Sequence, residues 1–422
     1  MSAAHTSPVR RRTPSRALVA LAMGVAAVAG IFSGTAGAAG AAERGTWTAG
    51  WTASPVVGTV IPFSPDCPAG TGLTDQTVRN VVFLSAGGDA VRVRLTNAFG
   101  TSPMRVSHAS VAVQAANAAA VPGTVRALSF GGGPAITIAA GAEALSDPVP
   151  LRVAPLSTLL VSVYVPGPTG PVTNHPFTAQ GNFLAGGDRT RQGAADGFGN
   201  VPCWMLVDGV DVRASRRVIG SVVALGDSIT DTANTTGNAN RRWPDDLARR
   251  LTATPGRTLS VANAGLGSNR LLAPRDGEPW YGVPALARLD RDVFAQTGVR
   301  AVILMEGVND IGFDATADDI ISAYQQIAAR THARGLRVFA GTITPFGGSF
   351  VQTDARIKTW ETVNAWIRAG HGFDGVIDFA AAVADPANRL VIAPAYDSGD
   401  HLHPNDAGCQ AMADAIDLAA LG

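Results

Sequence analysis

From about residue 47 to residue 212 the apolar positions come in short runs broken by glycine and proline, at 77–85, 90–96, 135–138 and 159–165. Val91-Arg92-Val93-Arg94-Leu95 alternates apolar and polar positions with period two, the mark of a strand with one buried face. The turn-forming Ala86-Gly87-Gly88-Asp89 precedes it, so 77–85 and 90–96 are predicted to pair as a hairpin. Repeated short strands with little helical pattern predict a β-sandwich or jelly-roll. The glycine-rich stretch 186–202 is predicted to be a long mobile loop.

After Arg213-Ala214-Ser215-Arg216-Arg217 the period changes. Apolar runs at 218–225, 259–262, 301–305, 336–342 and 375–378 alternate with helical patterns at 243–251, 283–294, 317–332 and 358–369, and a last helix is predicted over 405–418. Pro244 suits the first turn of its helix, where no N–H is needed. Strand and helix in alternation predict right-handed crossovers, a parallel sheet with helices on both faces, and functional groups at the carboxyl edge of the strands. The chain is thus expected to divide into a leader at 1–41, a β-sandwich-like accessory domain at 45–214 and an α/β domain at 215–422.

Two motifs carry the candidate chemistry. Val222-Val223-Ala224-Leu225-Gly226-Asp227-Ser228 is an apolar strand that stops at a tight turn and lifts a serine hydroxyl out of the sheet edge. Asp400-His401-Leu402-His403, near the C-terminus, offers that serine a base and a group to orient the base, both of which a serine nucleophile requires. Between them lie Asn263-Ala264-Gly265-Leu266-Gly267-Ser268-Asn269 and Ile303-Leu304-Met305-Glu306-Gly307-Val308-Asn309-Asp310, which bring a glycine-rich backbone and an amide side chain to the same edge.

Ordered Ser, Gly, Asn and Asp-x-x-His, the four blocks resemble the SGNH (GDSL) hydrolase family, over about 218–421. The resemblance implies a flavodoxin-like three-layer α/β/α sheet. It also implies Ser228 as nucleophile, His403 as general base and then acid, Asp400 as the group that orients His403, and an oxyanion hole made of the Ser228 N–H, a second-block N–H and the Asn309 side chain. The second block departs from the usual Asn-x-Gly-x-Ser-Gly, because Ser268 occupies the usual glycine position. Gly267 and Ser268 are therefore both candidates for that donor, and a serine there must avoid conformations that only glycine reaches easily.

Each residue also has a structural reading. Ser228 suits a helix cap, Asp227 suits a turn brace, and Asp231 and Asp310 suit loop ties. His401 is set aside because the Asp-x-x-His spacing selects His403. The Asp400, His401, His403 and Asp406 cluster lacks the helical His-x-x-x-His or cysteine-pair spacing of a zinc site, so no metal and no cofactor are expected. His108, His175, His332 and His371 read as surface or loop residues, with His175 a candidate for a contact between domains. Trp280-Tyr281 and Arg270 line a substrate pocket or pack their own loop.

The arginines at 10–12 and Arg16, an apolar stretch at 17–32 and the small residues around 36–41 read as a secretory signal peptide, so a secreted protein without a membrane span is expected. Of three cysteines, Cys67 and Cys203 lie in loop-like contexts outside the α/β segment and are expected to pair, with Cys409 a small buried apolar residue. If Cys409 paired instead, the disulfide would staple the two domains. Equal counts of 33 acidic and 33 basic residues leave no electrostatic footprint for nucleic acid.

The expected activity is hydrolysis of carboxylic esters of lipids or acylated carbohydrates through an acyl-enzyme, as in the secreted actinobacterial two-domain GDSL esterases that the arrangement resembles. The alternatives are an acyltransferase using the same acyl-enzyme, and a polysaccharide-binding protein with an idle hydrolase fold, whose Trp47, Trp51 and Trp204 stack on sugars or pack their strands.

Overall fold

The computed structural model describes residues 45–231 and 234–422, and the expected signal peptide at 1–41 lies outside the described residues. Residues Arg44–Gly422 fold as one compact unit that contains two large hydrophobic cores. The main strands of the first half are β1 (Trp47–Thr52), β2 (Gln76–Phe83), β3 (Gly88–Thr96), β4 (His108–Ala116), β5 (Val149–Val153), β6 (Thr158–Val165), β7 (Asn182–Gly186) and β8 (Val207–Ala214). They form two antiparallel sheets, one ordered β1-β8-β3-β5 and the other β7-β2-β6-β4. Val91, Val93 and Leu95 of β3 share one core with Val78 and Val82 of β2 and Val161 and Val163 of β6, which is the packing of a sandwich.

Two expectations for this half are overturned. β2 and β3 do not form a hairpin, because each belongs to a different sheet. A period of two fixes which side chains face the core but not which strand lies alongside. Leu84 is fully buried, and the amides of the connection bond elsewhere, Leu84 N–H to Ser157 O at 2.9 Å and Ser85 N–H to Gly50 O at 2.8 Å. The chain therefore steps across the sandwich instead of reversing within one sheet.

The segment 186–202 is also tied down rather than loose. The buried Arg79 guanidinium donates to the carbonyls of Ala118 (2.6 Å), Gln192 (2.6 Å) and Arg189 (3.1 Å), and Thr77 donates to Gly187 O at 2.7 Å. Gly199–Val201 pairs with β7. One cation satisfying several carbonyls, with the Phe198 ring packed against it at 4.0 Å, holds this glycine-rich loop.

The second half holds β9 (Val218–Gly226), β10 (Thr258–Gly265), β11 (Val299–Met305), β12 (Arg337–Gly341) and β13 (Gly375–Ile377). All neighbours are parallel, in the order β10-β9-β11-β12-β13, which is the flavodoxin-like arrangement with its topological switch point between β9 and β11. Val222 to Leu225 are fully buried, as a strand covered on both faces must be. Helices α1 (Trp243–Ala253), α2 (Ala317–His332), α3 (Asp354–Arg368) and α4 (Asp406–Asp414) supply the cover. In α2 the apolar Ile320, Ala323, Tyr324 and Ile327 recur at helical spacing and are buried, and Thr316 caps the start by accepting the Asp319 N–H at 3.2 Å. The helix expected at 283–294 is shorter, Ala285–Arg288, followed by a wider turn at Leu289–Phe294.

The two cores meet at β1. Ala49 packs into the α/β core and Trp51 into the sandwich core. β10 is an edge strand of its sheet, and the sandwich covers it: Thr52 donates to Asn263 O (2.7 Å), Ser85 Oγ accepts from Val261 N–H (3.0 Å), and Thr48 Oγ1 lies 2.7 Å from Ser260 Oγ. Polar side chains thus satisfy backbone groups that an exposed edge would offer to another chain.

Among the described residues, no helix is long and apolar enough to cross a membrane. Cys67 and Cys203 form a disulfide, and Cys409 is free and buried on α4, where burial pushes its thiol up to about 12.

Candidate active site

The site begins with strand register. Gly226, the last residue of β9, lies opposite Gly265 of β10 and Met305 of β11, so three successive loops leave the sheet at one level. The loop after β9 turns at once into a short helix, Ser228–Asp231, that crosses the strand ends closely. A Cβ on Gly226 would sit 2.2 Å from Thr230 Oγ1, and one on Gly265 would sit 2.4 Å from the Asp231 N. Only glycine admits this approach. Asp227 braces the turn by accepting the Ile229 N–H at 3.0 Å.

Ser228 Oγ lies 2.8 Å from His403 Nε2, and His403 Nδ1 lies 2.6 Å from Asp400 Oδ2. Asp400 also accepts the backbone N–H groups of His403 (2.8 Å) and Leu402 (3.0 Å), and the Asn234 amide donates to it at 2.9 Å. Burial works against its charge, but the side-chain and backbone bonds from His403 outweigh that and hold the Asp400 carboxyl well below the usual carboxylate range. An ionised Asp400 accepts the hydrogen bond from Nδ1–H and so keeps the ring hydrogen on that nitrogen, which leaves Nε2 facing the Ser228 hydroxyl as an acceptor. Asn234 was not singled out in the sequence, where a lone asparagine in a polar loop carries no signal.

The structure separates the two candidates of the second block. Gly267 is buried and its N–H is committed to Asp231 Oδ2 at 2.9 Å. It is therefore not available as an oxyanion donor, and Gly267 is corrected to a tie of the loop. The Ser268 N–H has no acceptor among the described residues, and Ser268 takes the left-handed φ of +53° that glycine would occupy at lower cost. Asn309 donates one amide hydrogen to Asn269 O at 2.9 Å, which fixes the side chain and leaves the second hydrogen free. Ser228 N–H, Ser268 N–H and Asn309 Nδ2 are the donors that remain.

Beneath them a single buried cation joins the loops. Arg288 donates to Gly226 O (2.9 Å), Ala264 O (2.6 Å) and Asn269 Oδ1 (2.8 Å), and its guanidinium lies 3.6 Å from Glu306. Sequence pattern gave no hint of it, since Gly226, Ala264 and Asn269, like Ser54, lie far from it along the chain. Burial pushes Glu306 up to about 8, Asp227 up to about 7 and Asp310 up to about 6, so acids under the nucleophile resist carrying charge. Asp310 accepts the Leu271 N–H at 2.8 Å and so ties the loop after β10.

The other sequence candidates fall outside this constellation. His401 turns away to Asp397, at 2.5 Å, and Asp406 accepts the Thr236 N–H at 2.8 Å. Trp280 and Tyr281 gather with Phe63 and Phe177 of the β-rich half, ring centroids 5.7–6.2 Å apart, and Arg270 lies over Phe313 at 4.4 Å. Trp51 and Trp204 are buried edge to face at 5.0 Å, a packing role, and Trp47 stacks under Arg92 at 4.6 Å. His175 is buried and its Nε2 lies 2.9 Å from Asp231 Oδ1, a contact between the halves.

The model of the GDSL-like lipase/acylhydrolase family matches residues 224–411. Among solved structures the chain is similar to the lipase/acylhydrolase from Enterococcus faecalis, at 22% identity over 46% of this chain and 92% of that one, with a TM-score of 0.36. It is also similar to a member of the lipolytic protein G-D-S-L family from Veillonella parvula DSM 2008, at 18% identity over 46% of this chain and 94% of that one, with a TM-score of 0.37. No curated protein matches the chain.

Proposed function

Residues 224–411 belong to the GDSL-like lipase/acylhydrolase family, and from that premise we propose that this protein is a secreted serine esterase that cleaves carboxylic esters through an acyl-enzyme on Ser228. The observation that carries the reading is the unbroken relay from Ser228 Oγ through His403 to Asp400, at 2.8 and 2.6 Å. In the first step Ser228 Oγ bonds to the ester carbonyl carbon while its proton passes to His403 Nε2. The Ser228 and Ser268 N–H groups and Asn309 Nδ2 stabilise the oxyanion, where each donor contributes about a hundredfold to a thousandfold in rate. The tetrahedral state collapses, the C–O bond to the alcohol breaks, and His403 returns its proton to the leaving oxygen. Water then gives a proton to His403 Nε2 and attacks the acyl carbon, the bond from that carbon to Ser228 Oγ breaks, and His403 returns the proton to Oγ as the acid leaves.

Export is supported by the Cys67–Cys203 disulfide, since such bonds form and persist in oxidising compartments. The test is hydrolysis of p-nitrophenyl esters from acetate to palmitate by the native chain and by Ser228→Ala. Activity that disappears in the variant is the expected result, with short-chain preference indicating acylated carbohydrate and long-chain preference indicating lipid. An inactive native chain, or a variant as active as the native one, would reject the reading.

A further inference from the structure

We propose that His175, in the β-rich half, is a positioning residue for the oxyanion loop, acting through Asp231; the proposal rests on the esterase reading of Ser228. His175 is 2% exposed and firmly held. Asn174–His175 pairs with Trp204–Met205, next to Cys203 of the disulfide, and the imidazole lies 5.3 Å from the Trp204 ring. Nδ1 is 2.7 Å from Ser54 O, a carbonyl that can only accept, so Nδ1 carries a hydrogen and Nε2 is directed at Asp231. Ser54 is itself fixed by Arg288, which donates to its hydroxyl at 3.0 Å.

Asp231 closes the short helix that begins with Ser228, and it divides its oxygens. Oδ1 faces His175 at 2.9 Å and Oδ2 accepts the Gly267 N–H at 2.9 Å. Gly267 has no side chain with which to hold its backbone, and the next residue, Ser268, is kept at φ +53°. A non-glycine residue there is strained, so the loop gains by relaxing unless the Asp231 bond holds it. The Ser268 N–H lies one peptide along and moves with Gly267. His175 fixes Asp231, Asp231 fixes Gly267, and Gly267 aims the oxyanion donor. Removing the imidazole would leave Asp231, 3% exposed, with an unpartnered oxygen inside the fold, and the carboxylate would turn to find another donor.

The role is geometric, so a group of the right shape and donor capacity should replace either partner. Asparagine at 231 can accept the Gly267 N–H with its oxygen and place its amide against Nε2, so both contacts keep their positions while the bond to His175 reverses direction, the amide donating where the carboxylate accepts. The experiment measures kcat, KM and melting temperature for His175→Ala, His175→Gln, Asp231→Ala and Asp231→Asn with p-nitrophenyl butyrate, beside the native chain and Ser228→Ala.

The expected result is a fall in kcat of about tenfold to hundredfold in His175→Ala, with KM changed by less than about twofold, as a small misplacement of a transition-state donor produces. His175→Gln and Asp231→Asn should recover most of the loss of their alanine counterparts. A folded His175→Ala variant with native kcat overturns the proposal. If His175→Ala does not fold, Asp231→Asn decides: kcat as low as in Asp231→Ala overturns it, and recovery supports it. Native activity abolished by Ser228→Ala together with a silent His175 rejects this inference alone, whereas a native chain inactive on every ester rejects the esterase reading as well.

Discussion

Two of the aspartate–histidine pairs are tied to Ser228, one through its hydroxyl and one through the short helix that it begins, and their surroundings differ. Asp400 and His403 lie on the C-terminal loop with side chains 38% and 19% exposed, whereas Asp231 and His175 are 4% and 3% exposed where the two halves meet. The first histidine bonds to the Ser228 hydroxyl, and the polar partners of the second are a carboxylate and a carbonyl. A pair that moves protons needs access to substrate and water, while a pair that holds a loop gains from being packed away from both. On the proposed esterase reading, Asp400 acts by charge and by the tautomer it imposes, and Asp231 acts by where its oxygens point.

The sharpest way to break this contrast is the same substitution at both carboxylates. Asp400→Asn should cost about ten-thousandfold in kcat, because an amide cannot impose the tautomer that leaves Nε2 free. Asp231→Asn should cost far less, and equal losses at the two sites would erase the distinction. Next in size is Asn309→Ala, for which the expected loss in kcat is about a hundredfold to a thousandfold with KM little changed. An effect confined to KM would make Asn309 a substrate contact and not a transition-state donor.

The smallest effect concerns a third carboxyl, Glu306, which burial pushes from 4.5 up to about 8 despite the nearby Arg288. Its folded-state value is raised, so its share of stability is complete below about pH 4.5 and is lost as pH rises through about 8. Glu306→Gln has no proton to lose. The melting temperature of that variant should gain on the native chain from about pH 5 to about pH 8 and then run level with it. A constant difference would mean that Glu306 is already ionised in the fold, paired to Arg288.

The parallel sheet was legible in the sequence because its central runs 222–225 and 301–305 are apolar throughout and lead into Gly-Asp-Ser and Gly-Val-Asn-Asp, patterns that announce both a strand and its edge. Ser228, Asp400 and His403 were legible for a related reason: a short spacing, Asp-x-x-His, survives into the folded geometry as a bond within one loop. Less was readable where position depends on distant chain. The run 77–85 shows its buried face but not its partner, so a hairpin was expected where the chain crosses between sheets. Choosing between Gly267 and Ser268 required knowing that Asp231 takes one of the two N–H groups. Arg79 orders its loop largely through carbonyls, which every residue has, and Arg288 joins two carbonyls to the side chains of Ser54 and Asn269, distant in the sequence, so no local pattern marks either set of partners.

β1 joins its neighbour β8 through Trp47 opposite Arg213 and Thr52 opposite Gly209, and the side chains of its Thr48 and Thr52 reach β10. The first strand of the sandwich therefore cannot be placed until the last one exists, and its packing is complete only once the parallel sheet has begun to form. Such non-local pairing raises the contact order and slows the search. A chain emerging vectorially would hold its sandwich open at one end through most of its synthesis, and the two halves would mature together instead of one after the other.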